Sequence, residues 1–441
     1  MCPIAGGNWN NGVNAGVWAL NCNNTRTNTN NNVGCRADSA PPQALMFGDV
    51  VPREALSCHG RNRSTPAFPV ATASVRLGFS RDDMKRFGNL YDGVISTASL
   101  YQGYIEASRS KPNSPGRYLF DRRLGAEIKQ LHQELADGSY TPKPYYRFLV
   151  HEPKERVIYA PAFRDCVVQH AVYRVVLPIF DRTFVDTSFA CRKGKGTHKA
   201  ADYAQQALQR SPRGSYTLQL DIRKFFYRIN RQILRALIER KIKDKRLVYL
   251  MMMFADYTEA VGIPIGNLLS QLYALIYMNP VDHFVMRELK PPSGYCRYVD
   301  DFILFGLTRE QAVGYRQRII QFLDERLQLE LSRSTIALTT RGVNFVGYRT
   351  WASARFVRKH SLYKARRSIR AGRLESVVSH LAHAAQTHSL QHLLDYALEH
   401  NHALYRALPK TYHSRHRAPA RHTRGRHRAV HAGRLDVCEP A

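Results

Sequence analysis

Residues 295–307 read YCRYVDDFILFGL, two apolar runs on either side of adjacent aspartates, Asp300 and Asp301. That pattern predicts a hairpin of buried strands with the Asp pair at its tight turn. Working outward, SYTLQLD (215–221) reads as a strand ending on Asp221, with a helix following over 231–240. Between the two lies GIPIGNLLSQ (262–271), a Gly/Pro loop that opens a helix after Pro264 and Gly266 and that can bring backbone and small polar groups close to a ligand. Downstream, a helix over 311–327 and a strand pair, 335–338 with 344–348, complete an α/β unit.

Aspartates at the ends of adjacent strands meet at one edge of a sheet. Asp is also favoured in any exposed hairpin turn, so the pair alone decides little, and the upstream strand ending on Asp221 supplies the context. Three acids crowded together repel one another unless a cation sits between them, and carboxylate oxygens suit a hard divalent ion. The expected cofactor is therefore Mg²⁺, as two ions, with Mn²⁺ as the alternative, held by Asp221, Asp300 and Asp301. Two such ions serve in-line phosphoryl transfer, the logic of a nucleotide polymerase.

The whole chain agrees with a polyanionic partner. Its 441 residues carry 65 Lys and Arg against 35 Asp and Glu, a net charge of +30, which favours nucleic acid first and an anionic membrane surface second. With 44% hydrophobic residues the composition is that of a globular protein, not a disordered one. The eight cysteines are scattered, without a CxxC pair or zinc-finger spacing, and read as reduced thiols. The most apolar long window, 261–281, is interrupted by Asn267, Ser270, Gln271 and Asn279, so no membrane span is expected, and the protein is expected in the cytoplasm.

Along the chain, residues 6–36 contain eleven Asn and no acid, too few aliphatic side chains to bury a core. Residues 41–80 read as a linker rich in Pro, Ala, Ser and Arg. Apolar steps of three and four predict helices over 89–110 and 121–136, and a basic hairpin is expected from 145–150 and 156–160. A further helix is expected over 163–177, ending before Pro178. Helical signals dominate 361–408. Residues 406–434, with nine Lys/Arg and five His, read as a solvated nucleic-acid-binding arm.

Taken in order, Asp221 in LDIRKFF, the run GIPIGNLLSQLYALIYMNPVDHFV and YVDD (298–301) resemble the palm motifs of a retroelement reverse transcriptase. The chain is most similar to the reverse transcriptases of diversity-generating retroelements, which resemble group II intron enzymes but carry GxxxSQ, here Gly266 to Gln271, in place of QGxxxSP. The run 151–200 resembles their fingers region, and the likeness spans about residues 85–350. It implies an α/β (α+β) right-hand polymerase: fingers and palm over 81–350, the palm an antiparallel sheet plus helices, a helical thumb over 351–408 and a basic tail over 409–441.

The resemblance also implies roles. Asp221, Asp300 and Asp301 form the metal-binding, catalytic triad, Asp221 and Asp300 most directly. Phe226 matches the bulky gate against a ribonucleotide's 2′-hydroxyl, although a core aromatic is the plainer alternative. Lys154, Arg156 and Arg164 match fingers cations that meet triphosphate or template, and Gly266 and Gln271 belong to the nucleotide-side loop. Ile265 stands where related polymerases place a Gln beside the incoming nucleotide, which fits misincorporation opposite template adenine. Arg333, followed by Ser334, takes the slot of a palm lysine, and as a poor proton donor it implies either slower activity or a purely electrostatic role.

The implied function is an RNA-directed DNA polymerase copying template-repeat RNA into adenine-mutagenised cDNA. Its partners are template RNA, cDNA, dNTP substrates and a small basic accessory protein. Residues 1–40 resemble the end of a C-type-lectin-like variable protein, and Asn codons begin with two adenines, so this leader reads as a translated template repeat or as a plain Asn-rich segment. The rivals are a group II intron-type reverse transcriptase or maturase and a noncatalytic RNA-binding protein.

Overall fold

The computed structural model describes residues 85–109, 114–151 and 155–416, together with the backbone of a short antiparallel pair, β1 (Ile4–Ala5) with β2 (Leu20–Asn21). The leader apart from that pair, the linker and the tail beyond residue 416 lie outside the described residues, as does Lys154.

A helical layer comes first. The stretch expected as one helix over 89–110 is two, α1 (Tyr91–Ile95) and α2 (Thr97–Ser108), because the Ser96 hydroxyl accepts from the Ser99 amide and caps α2 at the break. After α3 (Pro115–Asp121), α4 (Leu124–Asp137) buries Ile128, Leu131 and Leu135, the apolar positions spaced for one helix face. The basic hairpin follows as β3 (Tyr146–His151) and β4 (Glu155–Ala160).

Helix α5 (Phe163–Asp181) runs on through Pro178, contrary to the expected stop. The proline removes one backbone donor, but the turn beyond it buries Phe180, whose carbonyl is taken up by the amide and hydroxyl of Thr183. Helix α6 (Thr197–Arg210), unannounced in the sequence, buries Ala200, Ala201, Ala204 and Ala207, a face too small-chained to give a strong hydrophobic signal.

The palm is built on β5 (Tyr216–Ile222), which leads through α7 (Phe225–Arg228), α8 (Arg231–Glu239), α9 (Lys245–Ala255) and α10 (Leu268–Phe284) into the hairpin β6 (Gly294–Tyr298) and β7 (Asp301–Leu307). Helix α11 (Arg309–Phe322) and β8 (Leu331–Leu338) follow. The four strands form one antiparallel sheet in the order β6-β7-β5-β8. Helix α6 packs on β6 and β7, and α11 on β5 and β8; the central β7 carries a continuous buried apolar run, whereas the edge strand β8 is largely exposed. The 261–281 window lies mostly in α10, a core helix. Among the described residues no helix is long and apolar enough to cross a membrane.

The expected pairing of 335–338 with 344–348 is not formed. β8 pairs with β5, whereas β9 (Val343–Phe345) joins β10 (Tyr348–Thr350) and β11 (Arg355–Val357) in a separate three-stranded sheet. The chain is redirected between them: the Thr339 hydroxyl bonds the Ser215 carbonyl, and Gly342 takes φ +64° where a Cβ would meet the Thr350 carbonyl oxygen at 2.5 Å. The helical segment expected as a thumb follows as α12 (Lys359–Arg370), α13 (Leu374–Ala384), α14 (Ser389–His400) and α15 (His402–Ala407). Past residue 408 the packing continues into α16 (Lys410–His413), and the His416 side chain lies between Asp395 and Tyr405.

Candidate active site

Register brings the carboxylates together. Asp221, the penultimate residue of β5, lies opposite Asp301 at the start of β7 and opposite Arg333 of β8. Asp300 belongs to the two-residue turn joining β6 to β7, and its carbonyl accepts from the Ile222 amide at 3.2 Å, which pins the turn to β5. The other turn residue, Val299, takes φ +60°. Left-handed backbone at a β-branched residue costs roughly 1–3 kcal/mol, so surrounding contacts must hold this turn.

Burial pushes the Asp300 carboxyl up to about 7, helped by the neighbouring Asp221 and Asp301 charges and opposed by Arg156. Burial likewise raises Asp301 to about 7, with Asp221 adding to the shift, while the Gln219 hydrogen bond and the Arg333 and Arg358 charges oppose it. Gln219 Nε2 donates to both Asp301 oxygens, at 2.9 and 3.2 Å, and to the Asn344 carbonyl at 2.9 Å. Asp221 has its own partner: Ser332 Oγ donates to its Oδ2 at 2.5 Å.

Among the described residues no three His, Cys, Asp or Glu side chains gather at metal-ligating spacing. Gln219 engages both Asp301 oxygens and Ser332 engages only Oδ2 of Asp221, which leaves Asp221 Oδ1 and the Asp300 carboxylate as the candidate metal-binding oxygens. A divalent ion fits that donor set, because Mg²⁺ is ordinarily bound by one or two carboxylates with water and substrate phosphates completing its shell. A cation bound between these half-buried carboxylates would favour their charged forms.

The loop expected to face the nucleotide is tied to the segment that follows β5 and to β4. The Ile263 amide donates to the Phe226 carbonyl at 2.9 Å, the Gly262 amide to Ile229 at 3.0 Å, and the Ile265 carbonyl accepts from the Tyr159 amide of β4 at 2.7 Å. Gly262 is required here: at φ +94° a Cβ would lie 2.9 Å from backbone atoms of Phe226 and Tyr227. Ile265, Gly266 and Gln271 are half-buried at the entrance to α10. Ser270 Oγ holds the Pro264 carbonyl at 2.6 Å and Asn267 caps the helix, so the polar letters of the motif fix the loop's shape. Phe226 is half-buried against the core, with Phe225 fully inside.

Of the fingers cations, Arg156 of β4 lies near enough to Asp300 to favour its charged form. Arg164 is placed differently: its guanidinium is ion-paired with Glu134 and lies over the Tyr140 ring, 5.5 Å from its centroid, a contact that ties α5 to α4. Arg333 is exposed beside Asp301. Sequence reasoning missed Gln219, Ser332 and Arg358. Gln219 had a usable signal, a polar residue two positions before Asp221 in an apolar strand and so on the same face.

An antiparallel sheet ending in half-buried carboxylates, preceded by a basic hairpin and followed by a helical bundle, is the arrangement expected of a right-hand nucleic-acid polymerase. Residues 142–350 match the family model described as Reverse transcriptase (RNA-dependent DNA polymerase). This region is a reverse transcriptase domain related to the group II intron-encoded enzymes. The chain is 26% identical over 312 residues to Protein YkfC of Escherichia coli (strain K12), covering 59% of this chain and 80% of that protein. It is 30% identical over 341 residues to the Group II intron-encoded protein LtrA of Lactococcus lactis subsp. cremoris, covering 59% of this chain and 56% of that protein. A Candida albicans telomerase structure aligns over 60% of this chain and 55% of its own at 14% identity and a TM-score of 0.40, too loose a match to add to the argument.

Proposed function

We propose that this protein copies an RNA template into cDNA with errors concentrated opposite template adenines, as the reverse transcriptase of a diversity-generating retroelement. The observation that carries the specific reading is the loop 262–266, which seats aliphatic Ile265 against β4 through its carbonyl's bond to the Tyr159 amide, on the same strand as Arg156, whose charge reaches Asp300. An aliphatic side chain there imposes no hydrogen-bonding check on base-pair geometry. The motif continuing into Ser270 and Gln271 supports the same assignment.

In this reading Asp221 and Asp300 hold Mg²⁺, and Asp301, oriented by Gln219, completes the negative edge. Divalent ions held there would supply electrostatic stabilisation to a phosphoryl transfer. A primer 3′-hydroxyl attacks the α-phosphate of a dNTP and pyrophosphate leaves. Arg156 faces the phosphates, Phe226 closes the space that a 2′-hydroxyl needs, and Arg333 contributes charge and no proton. Template RNA, the cDNA strand, dNTPs and a small basic accessory protein are the partners of this activity.

The test is to sequence cDNA made by the purified protein from the element's RNA, with Mg²⁺, dNTPs and the accessory protein. Substitutions should cluster opposite template adenine and vanish with synthesis itself in Asp300→Asn. Ile265→Gln should lower errors at adenine; an unchanged spectrum would refute the role of that position. Faithful cDNA from the unaltered protein would favour the intron-type reading that the likeness to LtrA suggests. Absence of cDNA with RNA binding intact would favour a noncatalytic binder.

A further inference from the structure

Beneath the Asp300 turn lies a fully buried ion pair that none of the chemistry above uses. Arg297 of β6 and Asp282 of α10 are both completely excluded from solvent. Arg297 Nε donates to Asp282 Oδ1 at 2.7 Å and Nη2 to Oδ2 at 2.5 Å. The Tyr295 hydroxyl donates to Asp282 Oδ1 at 2.6 Å. Two guanidinium contacts remain: Nη2 reaches Ser188 Oγ at 3.0 Å and Nη1 donates to the carbonyl of Val299 at 2.8 Å. Arg297 is itself fixed by its backbone, which exchanges hydrogen bonds with Thr187 and Phe189.

The Val299 carbonyl belongs to the peptide that leads into Asp300, and Val299 is the residue held at φ +60°. Two-residue hairpin turns normally put Gly or Asn at such a position. A valine stays there only if something outside the turn over-determines its conformation. A rigid, planar donor aimed at that carbonyl does so, and a bidentate pairing with Asp282 keeps the donor from swinging away. A buried ion pair is poor value as a source of stability alone, since apolar residues of similar volume often serve as well.

We infer that Arg297, oriented by Asp282 and Ser188, is a positioning residue that clamps the Val299 carbonyl and so holds the Asp300 carboxylate in its working place at the sheet edge. The inference rests on the polymerase reading of that edge. Lysine at 297 keeps a charge opposite Asp282 but cannot serve both Asp282 and Val299 with one fixed fork.

The test compares the intact protein with Arg297→Lys, Val299→Gly and the double variant. Arg297→Lys should lower kcat for dNTP incorporation at least tenfold with an unchanged KM for template–primer. It should also speed amide hydrogen exchange across 298–302 at least tenfold while leaving α10 protected. Adding Val299→Gly, which takes positive φ without strain, should recover at least threefold of the lost kcat. A kcat, exchange rate and KM equal to those of the intact protein would overturn the inference, as would a loss that Val299→Gly does not relieve. If Arg297→Lys does not fold, Ser188→Ala decides: faster exchange confined to 298–302 with about a twofold lower kcat supports the clamp, and no change refutes it. Inactivity of the unaltered protein would instead strike at the polymerase reading; the exchange measurement still tests the clamp.

Discussion

Asp300→Asn should make the metal-free protein more stable while abolishing synthesis, and the size of the gain follows from the site. The Asp300 carboxyl is pushed from an ordinary 3.8 up to about 7, first by burial and then by Asp221. Between pH 4 and 7 the folded state therefore holds a proton that the unfolded state has released, so stability falls as pH rises through that window and the loss is complete above about pH 7. A shift of about three units corresponds to about 4 kcal/mol at most. Asp301 shares the same repulsion from Asp221, so the two shifts do not add, and about 2 kcal/mol is the working figure. Asparagine carries no charge and escapes this cost. Thermal unfolding in chelator should show Asp300→Asn melting about 4 °C above the unaltered protein at pH 8. The gap should close by pH 5 and narrow when Mg²⁺ is added. A variant that melts at or below the unaltered protein at pH 8 without metal, or a gap independent of pH, would refute the reasoning.

Other expectations follow from single contacts. Ser332→Ala removes the donor on Asp221 Oδ2 and should raise the Mg²⁺ concentration for half-maximal synthesis two- to fivefold, with a stability change of about 1 kcal/mol or less. Gly262→Ala should destabilise by about 2 kcal/mol or more in thermal unfolding, because its Cβ meets backbone at 2.9 Å. Gly138→Ala, also at positive φ but with open space around it, should cost only about 1 kcal/mol. Phe226→Ala should raise ribonucleotide incorporation relative to deoxyribonucleotide by tenfold or more, read in primer extension with each substrate, and an unchanged ratio would return Phe226 to a packing role.

The three aspartates and their strands were legible because largely apolar segments of strand length lead up to or away from them, most plainly FILFGL after Asp301, and an acid at the end of such a segment stands out. The loop over 262–271 was legible for a similar reason, since Pro264 and Gly266 mark the start of α10. Pro178 misled because a local rule about helix termination yields to the burial of Phe180 beyond it. The pairing of β8 was hidden because β9 is nearer in sequence, and only the turn at Thr339 and Gly342 sends β9 to another sheet.

Side-chain partnership was the least readable level. Ser332 and Asp221 are 111 residues apart, and Arg164 finds Glu134 30 residues back. A charge or hydroxyl in a sequence does not state its partner, because register and helix packing choose it. Nothing in the letters around Arg297, just before YVDD, shows that it is wholly buried. The sequence by itself determined the strand–loop–hairpin order and the acids at its edge, since local periodicity and residue chemistry suffice for those. The tertiary structure decided which carboxylate is held by Gln219, which by Ser332, and what steadies the turn between them, because such contacts exist only after distant segments have packed.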